Sequence, residues 1–149
     1  GQTPDVILLM IGTNDILDGA AYRNAAPTNL GNLIDLLTAE LADARVIVAS
    51  IPPMTFSDPK WNGYVNAYNA AIPGIVASRA GAGNHVQFLD VNAILTPSDI
   101  SGDCVHLNAA GLDKVGAAFA SVAPEPATLL LFVAASPLAL RLRKRPETA

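Results

Sequence analysis

Cysteine and positive charge are both scarce in this chain of 149 residues. A single cysteine, Cys104, excludes an internal disulfide and a metal site built from several cysteines. Residues 1–123 carry five Lys or Arg against eleven Asp or Glu, so the body of the chain has no basic surface for nucleic acid. Because 51% of the residues are hydrophobic and only 15% are charged, the composition argues against disorder and favours one domain with one core.

The amino end also lacks a secretory signal. The chain opens almost directly on an apolar run, residues 6–11, that has the character of a core strand. Natural domains rarely begin in this way, so we expect the sequence to be an N-terminally truncated fragment.

Short apolar runs alternate with helical patterns along the rest of the chain. Strand, helix, strand, helix, strand, loop and helix in this order predict parallel strands in a three-layer α/β/α sandwich. Because residues 6–11 carry no polar side chain, the first strand is expected to be covered on both faces. The predicted strands are residues 6–11, 45–51 and 85–91; the predicted helices are residues 28–43, capped near Thr28, residues 63–80, kinked or split at Pro73, and residues 108–121, with Leu112, Val115 and Phe119 facing inward.

Small and polar residues, Gly12-Thr13-Asn14-Asp15, follow the first strand directly. Open α/β sheets place their ligands at this carboxyl edge. Asn14 offers an amide donor that can meet a developing oxyanion. The alternative is structural: Gly12 opens a turn, and Asn14 and Asp15 cap the next segment.

A second polar group lies between the third strand and the last helix. Asp103 and His106 are three residues apart, so the carboxylate can accept a hydrogen bond from the imidazole, fix its tautomer and favour the imidazolium. A surface pair or a helix cap is the alternative interpretation. Both polar groups are predicted at the same edge of the sheet, which favours a shared site.

These motifs resemble those of a known family. Gly12-Thr13-Asn14-Asp15 and Asp103-x-x-His106-Leu107-Asn108 are similar to the third and fifth sequence blocks of the SGNH (GDSL-type) hydrolases. Ile51-Pro52-Pro53, Tyr68-Asn69-Ala70-Ala71-Ile72-Pro73 and Gln87-Phe88-Leu89-Asp90 resemble the carbohydrate esterase branch that includes acetylxylan esterases. The resemblance covers about residues 4–120.

The resemblance implies a flavodoxin-like fold and an esterase acting on acylated carbohydrate, without a metal or an organic cofactor. It makes Asn14 the side-chain oxyanion donor, His106 the general base and Asp103 the residue that orients it. Gly12 supports the oxyanion site, and Asp15 has a structural role in the loop. Leu107 replaces a proline that is common after the histidine in this family.

The family's nucleophile, a serine in a Gly-Asp-Ser block, is expected upstream of Gly1. None of the seven serines in the sequence follows a strand in a nucleophile turn, and Cys104 is better explained as a small packed residue. We therefore expect the fragment itself to be inactive. Without the family's first strand, residues 6–11 would form an unpaired apolar edge, so the chain expressed alone is expected to aggregate or to be poorly ordered.

The last part of the chain has a different composition. After Pro124-Glu125-Pro126, the fourteen residues from Ala127 to Leu140 carry no charge, and four of the next five are basic. Fourteen is short for a membrane span of about 20 residues, so a buried helix or a free tail are alternatives. The order resembles the bacterial PEP-CTERM sorting signal. This resemblance implies exosortase cleavage near Pro124, a short hydrophobic helix held in the inner membrane, and delivery to the cell surface.

The predicted organisation is therefore a hydrolase domain over residues 1–122 and a sorting segment over residues 123–149. Two other functions stay open for this sequence. One is a lipid-directed esterase or thioesterase on the same fold. The other is a catalytically dead surface or matrix protein that keeps the fold and the sorting tail.

Overall fold

The computed structural model describes residues 4–123. It contains a parallel sheet, four α-helices and two short 3₁₀ helices, at Asn92–Ile94 and Pro97–Asp99. In chain order, the strands and α-helices are β1 (Val6–Leu9), α1 (Thr13–Leu17), α2 (Ala20–Glu40), β2 (Arg45–Ala49), α3 (Lys60–Gly81), β3 (Val86–Leu89) and α4 (Ala109–Val122).

The three strands lie in the order β1-β2-β3, and both pairs are parallel. Leu8 of β1 pairs with Ile47 of β2, and Val48 of β2 pairs with Phe88 of β3. The central strand β2 is buried from its second residue onward, because it has neighbours on both edges and helices on both faces. The carboxyl ends of all three strands therefore meet at one edge of the sheet.

Helices cover both faces of the sheet and complete the predicted three-layer α/β/α architecture. Helices α2 and α3 pack on one face around a core that includes Ile34, Val48 and Ile72. Helix α4 covers the other face, where Val115 packs in a smaller cluster with Ala49. The SGNH-like, flavodoxin-type arrangement expected from the sequence is confirmed.

The prediction that the first strand is covered on both faces is wrong. Ile7 and Leu9 pack against the core under α2 and α3, but the side chain of Leu8 lies 52% exposed and Ile11 is also exposed. Within residues 4–123, β1 is an edge strand, and the cluster under α4 reaches Met10 but does not include Leu8.

Two helices differ in extent from the prediction. Helix α2 begins at Ala20 after Gly19, not near Thr28, and runs through Pro27. Helix α3 is one helix from Lys60 to Gly81, without a break at Pro73. Proline inside a helix costs about 3 kcal/mol, and the burial of Ala26 and Leu30 in α2, and of Ile72 and Val76 in α3, offsets this cost.

The inward face of the last helix also differs from the prediction. Val115 is buried and Phe119 is partly buried, as expected, but Leu112 is 58% exposed. Leu112 lies one turn from the start of α4, where it faces a cavity at the carboxyl edge instead of the core.

No helix within residues 4–123 has the length and apolar character needed to cross a membrane. The predicted hydrophobic helix and sorting segment, from Pro124 onward, lie outside the described residues.

Candidate active site

Gly12 shapes the turn that follows β1. Its φ of 117° lies in the left-handed region, which favours glycine. A Cβ at this position would lie 2.5 Å from Cε1 of Tyr68, so the space beside the backbone is already filled by the tyrosine ring. The Tyr68 hydroxyl donates a hydrogen bond of 3.1 Å to the carbonyl of Ile11. Tyr68 of helix α3 thereby holds the turn after β1 in place.

Asn14 and Asp15 lie in the first turn of the short helix α1, directly after this turn. Gly12 is the residue that precedes the helix, and no side chain caps it. Asn14 is exposed, which leaves its amide available at the carboxyl edge of the sheet. Burial first, and then the negative charge of Asp15, raise the pKa of Tyr68 to about 12, so the phenol remains a neutral donor to Ile11.

Asp103 and His106 lie on a tight loop between β3 and α4. A single antiparallel bridge joins Ile100 to Leu107 at its base. The amide of Ser101 donates to the carbonyl of His106 at 2.7 Å. Because both ends of the loop are held together, the two side chains are presented from a fixed backbone.

The Asp103 carboxylate is fully engaged by this loop. Its Oδ2 lies 2.6 Å from Nδ1 of His106. Its Oδ1 accepts from the Ser101 hydroxyl at 2.7 Å and from the backbone amides of Val105 and His106 at 3.0 and 2.9 Å. The Ser101 hydroxyl first, and then the two amides and the imidazole, hold the pKa of Asp103 well below its usual range. Asp103 is therefore a stable carboxylate that holds the imidazole by Nδ1.

Ser101 is a residue whose role the sequence did not reveal. It is one of the seven serines that lie outside a nucleophile turn, and the structure places its hydroxyl on the carboxylate of Asp103. A serine two residues before an aspartate was the only available signal, because the contact depends on the loop closing between Ile100 and Leu107.

An ion pair between the buried Asp99 and the exposed Lys114 anchors the loop to α4. Asp99 is 3% exposed, and its Oδ2 lies 2.7 Å from Nζ of Lys114. The Lys114 ammonium first, and then the amide and hydroxyl of Thr96, lower the pKa of Asp99 to about 2. Asn108 caps α4 by accepting from the amide of Gly111, and it donates to the carbonyl of Ser98 at 2.7 Å. The loop is thus held at both ends.

Amide side chains hold the segment after β2 in place. Asn69 of α3 accepts from the amide of Ile51 and donates to its carbonyl, both at 2.9 Å. Asn92 donates to the same carbonyl, also at 2.9 Å. Asn62 makes the corresponding pair of bonds with Met54. The backbone of residues 51–54 is therefore fixed from three directions, and with it the position of Pro52.

One cavity of about 380 Å³ unites the polar groups that the sequence predicted; we call it the site cavity. Asn14 and Thr13 of α1 line one side, and His106 lies among the lining residues from the loop before α4. Pro52, Leu107 and Leu112 contribute apolar walls. Gly12 and Asp15 line an adjoining shallow cavity together with Asn14.

Neither Cys104 nor His85 lines the site cavity. Cys104 is partly buried with a φ of 68°, and its carbonyl accepts from the amide of Thr55. His85 is exposed just before β3, at the amino edge of the sheet. None of the described residues that line the site cavity is a serine. Within residues 4–123, no group of three or more His, Cys, Asp or Glu side chains is arranged so that it could hold a metal ion.

The site cavity combines two chemical capabilities. An imidazole held at Nδ1 by a carboxylate can accept and return a proton at Nε2. An amide at the end of a strand can donate to an oxygen that gains negative charge. Both groups are needed for acyl transfer, and the arrangement places them around one space.

The fold and this site define an α/β protein of the SGNH type. Residues 1–114 match the model of the GDSL-like Lipase/Acylhydrolase family. The chain belongs to this family.

Two relatives match about three quarters of this chain. A protein of Acetivibrio thermocellus that is named endoglucanase X is 38% identical to this chain over 116 residues. The match covers 76% of this chain and 47% of that protein. The multidomain esterase of Ruminococcus flavefaciens is 30% identical over 119 residues, with 76% of this chain and 15% of the relative covered.

Among solved structures, the family 3 carbohydrate esterase of Clostridium thermocellum is 37% identical, with a TM-score of 0.64. The match covers 78% of this chain and 54% of that structure. The chain thus spans about half the length of this structure and of the Acetivibrio thermocellus relative, and a smaller share of the multidomain esterase.

Proposed function

We propose that the full-length gene product is an exported serine esterase of the SGNH type that removes acetyl groups from polysaccharide through an acyl-enzyme. One observation carries the proposal: Asn14 and His106, which come from opposite ends of the described chain, line the same cavity at the carboxyl edge of the sheet. The Oδ2 atom of Asp103 lies 2.6 Å from Nδ1 of His106, so Asp103 supplies the third group of the arrangement.

In the proposed reaction, a serine hydroxyl attacks the ester carbonyl while His106 takes its proton at Nε2. Asp103 stabilises the imidazolium through Nδ1, and Asn14 donates to the oxyanion of the tetrahedral intermediate. The intermediate collapses as His106 protonates the leaving alcohol, which leaves an acetyl-enzyme. Water then attacks the acetyl group while His106 takes a proton from it. His106 returns this proton to the serine oxygen as the second tetrahedral intermediate collapses, so acetic acid leaves and the serine hydroxyl is restored. The family resemblance expects the serine in a Gly-Asp-Ser block that precedes β1.

The proposed substrate class is an acylated carbohydrate. The support comes from similar proteins, one of which is a family 3 carbohydrate esterase and another a multidomain esterase. The walls of the site cavity suit a small acyl group, since Pro52, Leu107 and Leu112 give it an apolar lining beside the polar pair.

Export and anchoring form a separate part of the proposal. Pro124-Glu125-Pro126, the uncharged residues 127–140 and the basic cluster that begins at Arg141 support a sorting segment. An exosortase would cleave near Pro124, after transient anchoring in the inner membrane, and deliver the domain to the cell surface. Cell fractionation tests this part: replacing Glu125 by Ala should leave the protein in the inner membrane. Unchanged surface delivery would contradict it.

The substrate class is tested with the purified full-length gene product. We expect acetate release from acetylated xylan and faster hydrolysis of 4-nitrophenyl acetate than of 4-nitrophenyl palmitate. Faster cleavage of the palmitate would favour a lipid-directed esterase instead. No cleavage of any ester would favour a surface or matrix protein without catalysis.

A further inference from the structure

A second, larger cavity lies next to the proposed active site, and the mechanism does not use it. Its volume is about 440 Å³, and we call it the Arg23 cavity. Its walls come from the amino-terminal halves of α2 and α3, among them Arg23, Asn24, Tyr64 and Tyr68. Because α2 follows β1 and α3 follows β2, both helices start at the carboxyl edge of the sheet. The two cavities therefore share one edge of the domain.

Helix α1 separates the two cavities. Thr13 and Asn14 line the site cavity, whereas Ile16 lines the Arg23 cavity. Residues two positions apart project about 200° from each other around a helix, so Asn14 and Ile16 face nearly opposite sides of α1. A helix with its side chains is about 10–12 Å across. A ligand that reaches over α1 can thus occupy both cavities.

Arg23 is held in place from two sides. Its Nη1 donates to the carbonyl of Ile16 at 2.9 Å, and its guanidinium lies 4.2 Å from the centre of the Tyr64 ring. The rings of Trp61 and Tyr64 pack at 84° to each other with their centres 6.0 Å apart, and this contact fixes the Tyr64 ring beneath the guanidinium. Little side-chain entropy remains to be lost when such an arginine binds a ligand.

The charge of Arg23 is not neutralised by any carboxylate of the described residues. Three other basic side chains have such partners, Lys60 with Asp58, Arg79 with Asp35 and Lys114 with Asp99, at 2.6 to 2.8 Å. Arg23 is partly buried, and none of the described residues that line its cavity is acidic. A guanidinium in this setting favours a bidentate carboxylate ligand.

The remaining polar groups of the Arg23 cavity suit a sugar. The Asn24 amide and the Tyr64 hydroxyl line the cavity, and neither is hydrogen-bonded within residues 4–123. An amide and a phenol can each donate to and accept from a sugar hydroxyl.

We propose that the Arg23 cavity is a subsite for a sugar that bears a carboxylate, a uronic acid residue of the acylated polysaccharide, with Arg23 as its carboxylate ligand. The proposal rests on the proposed function, because it assigns this residue to the same substrate chain. It makes the protein selective for acidic polysaccharides, while the acetyl ester itself is bound on the other side of α1.

The test compares two small ligands, one of which carries a carboxylate where the other carries a hydroxymethyl group. Methyl β-glucuronide and methyl β-glucoside are titrated into the full-length gene product by NMR or calorimetry. We expect the glucuronide to bind at least about tenfold more tightly, since hydrogen bonds to charged groups are the stronger ones. The Arg23→Gln variant should lose this preference and keep its affinity for the glucoside.

Two further variants separate binding from folding. Asn24→Asp places a negative charge on the wall of the Arg23 cavity without removing the contacts of Arg23, and it should weaken glucuronide binding as well. Arg45→Gln is the matched control. Arg45 is exposed at the start of β2, at the amino edge of the sheet, and it lines neither cavity. It should leave both affinities unchanged, and melting temperatures should agree among the variants that are compared.

The outcomes distinguish this proposal from the esterase proposal. Hydrolysis of 4-nitrophenyl acetate by the wild type is measured beside these titrations, and it should be unchanged in the Arg45 variant. If the wild type lacks this hydrolysis but prefers the glucuronide through Arg23, the esterase proposal fails and the subsite stands. Equal affinity for both glycosides, or an equal loss in Arg23→Gln and Arg45→Gln, overturns the subsite.

Discussion

The ring of Tyr68 fills the space that a side chain at Gly12 would need, and the Tyr68 hydroxyl holds the carbonyl just before it. Helix α3 and the end of β1 are thereby locked together at the point where Asn14 enters the site cavity. The position of the proposed oxyanion donor is set by a residue more than fifty positions further along the chain.

This lock predicts a large effect for Gly12→Ala. The new Cβ would meet the Tyr68 ring and would also require a left-handed backbone, so we expect a loss of about 2–4 kcal/mol in the free energy of unfolding. Gly63→Ala is the control, because Gly63 is an exposed position in α3 with open space around it. It should gain about 0.5–1 kcal/mol from helix propensity. Equal effects in urea unfolding of the two variants would contradict this role of Gly12.

Asp103→Asn should lower kcat far more than Ser101→Ala. The amide cannot hold the imidazole in the same tautomer, which costs on the order of 10³–10⁴-fold in related acid–base arrangements. Removing the Ser101 hydroxyl leaves the carboxylate and its two backbone amides in place, so we expect a loss of about tenfold or less. Steady-state hydrolysis of 4-nitrophenyl acetate by the full-length product measures both, and a larger loss in the serine variant would contradict the assignment.

The Asp99–Lys114 pair predicts an acid-sensitive stability. The pKa of Asp99 is about 2 in the folded protein and has an ordinary value of 3.8. The ionised Asp99 carboxylate therefore stabilises the fold fully at pH values above the ordinary pKa. This stabilisation is lost as the pH falls from about 4 to about 2, because the carboxylate becomes protonated. In Asp99→Asn, the decline of the melting temperature over this interval should be shallower than in the wild type. An unchanged pH profile would show that the pair contributes nothing.

The exposed edge of β1 predicts the behaviour of the isolated chain. Leu8 is exposed and, within residues 4–123, β1 pairs only with β2. Unpaired apolar edges promote association between chains, so residues 1–123 expressed alone should aggregate, and Leu8→Lys should reduce the aggregation. Light scattering measures both samples. A soluble wild-type monomer with a sharp cooperative melt would contradict the prediction.

The sequence was sufficient to predict three parallel strands and to place Asn14 and His106 at the same edge of the sheet, because these predictions follow from apolar runs and from two compact motifs. It was insufficient where distant packing decides the outcome. Helix α2 continues through Pro27 since its buried face packs on the core, and the exposure of Leu112 depends on where α4 meets the site cavity. The bonds from Asn69 to Ile51 join residues eighteen positions apart, and no local pattern signals them.

The most direct test of the proposed site is the hydrolysis of 4-nitrophenyl acetate by His106→Ala and Asn14→Ala variants of the full-length gene product. The proposed mechanism predicts that His106→Ala nearly abolishes turnover. It predicts that Asn14→Ala lowers kcat by about a hundredfold or more, the effect of losing one oxyanion donor. Wild-type activity in either folded variant would contradict the claim that Asn14 and His106 act together in the site cavity.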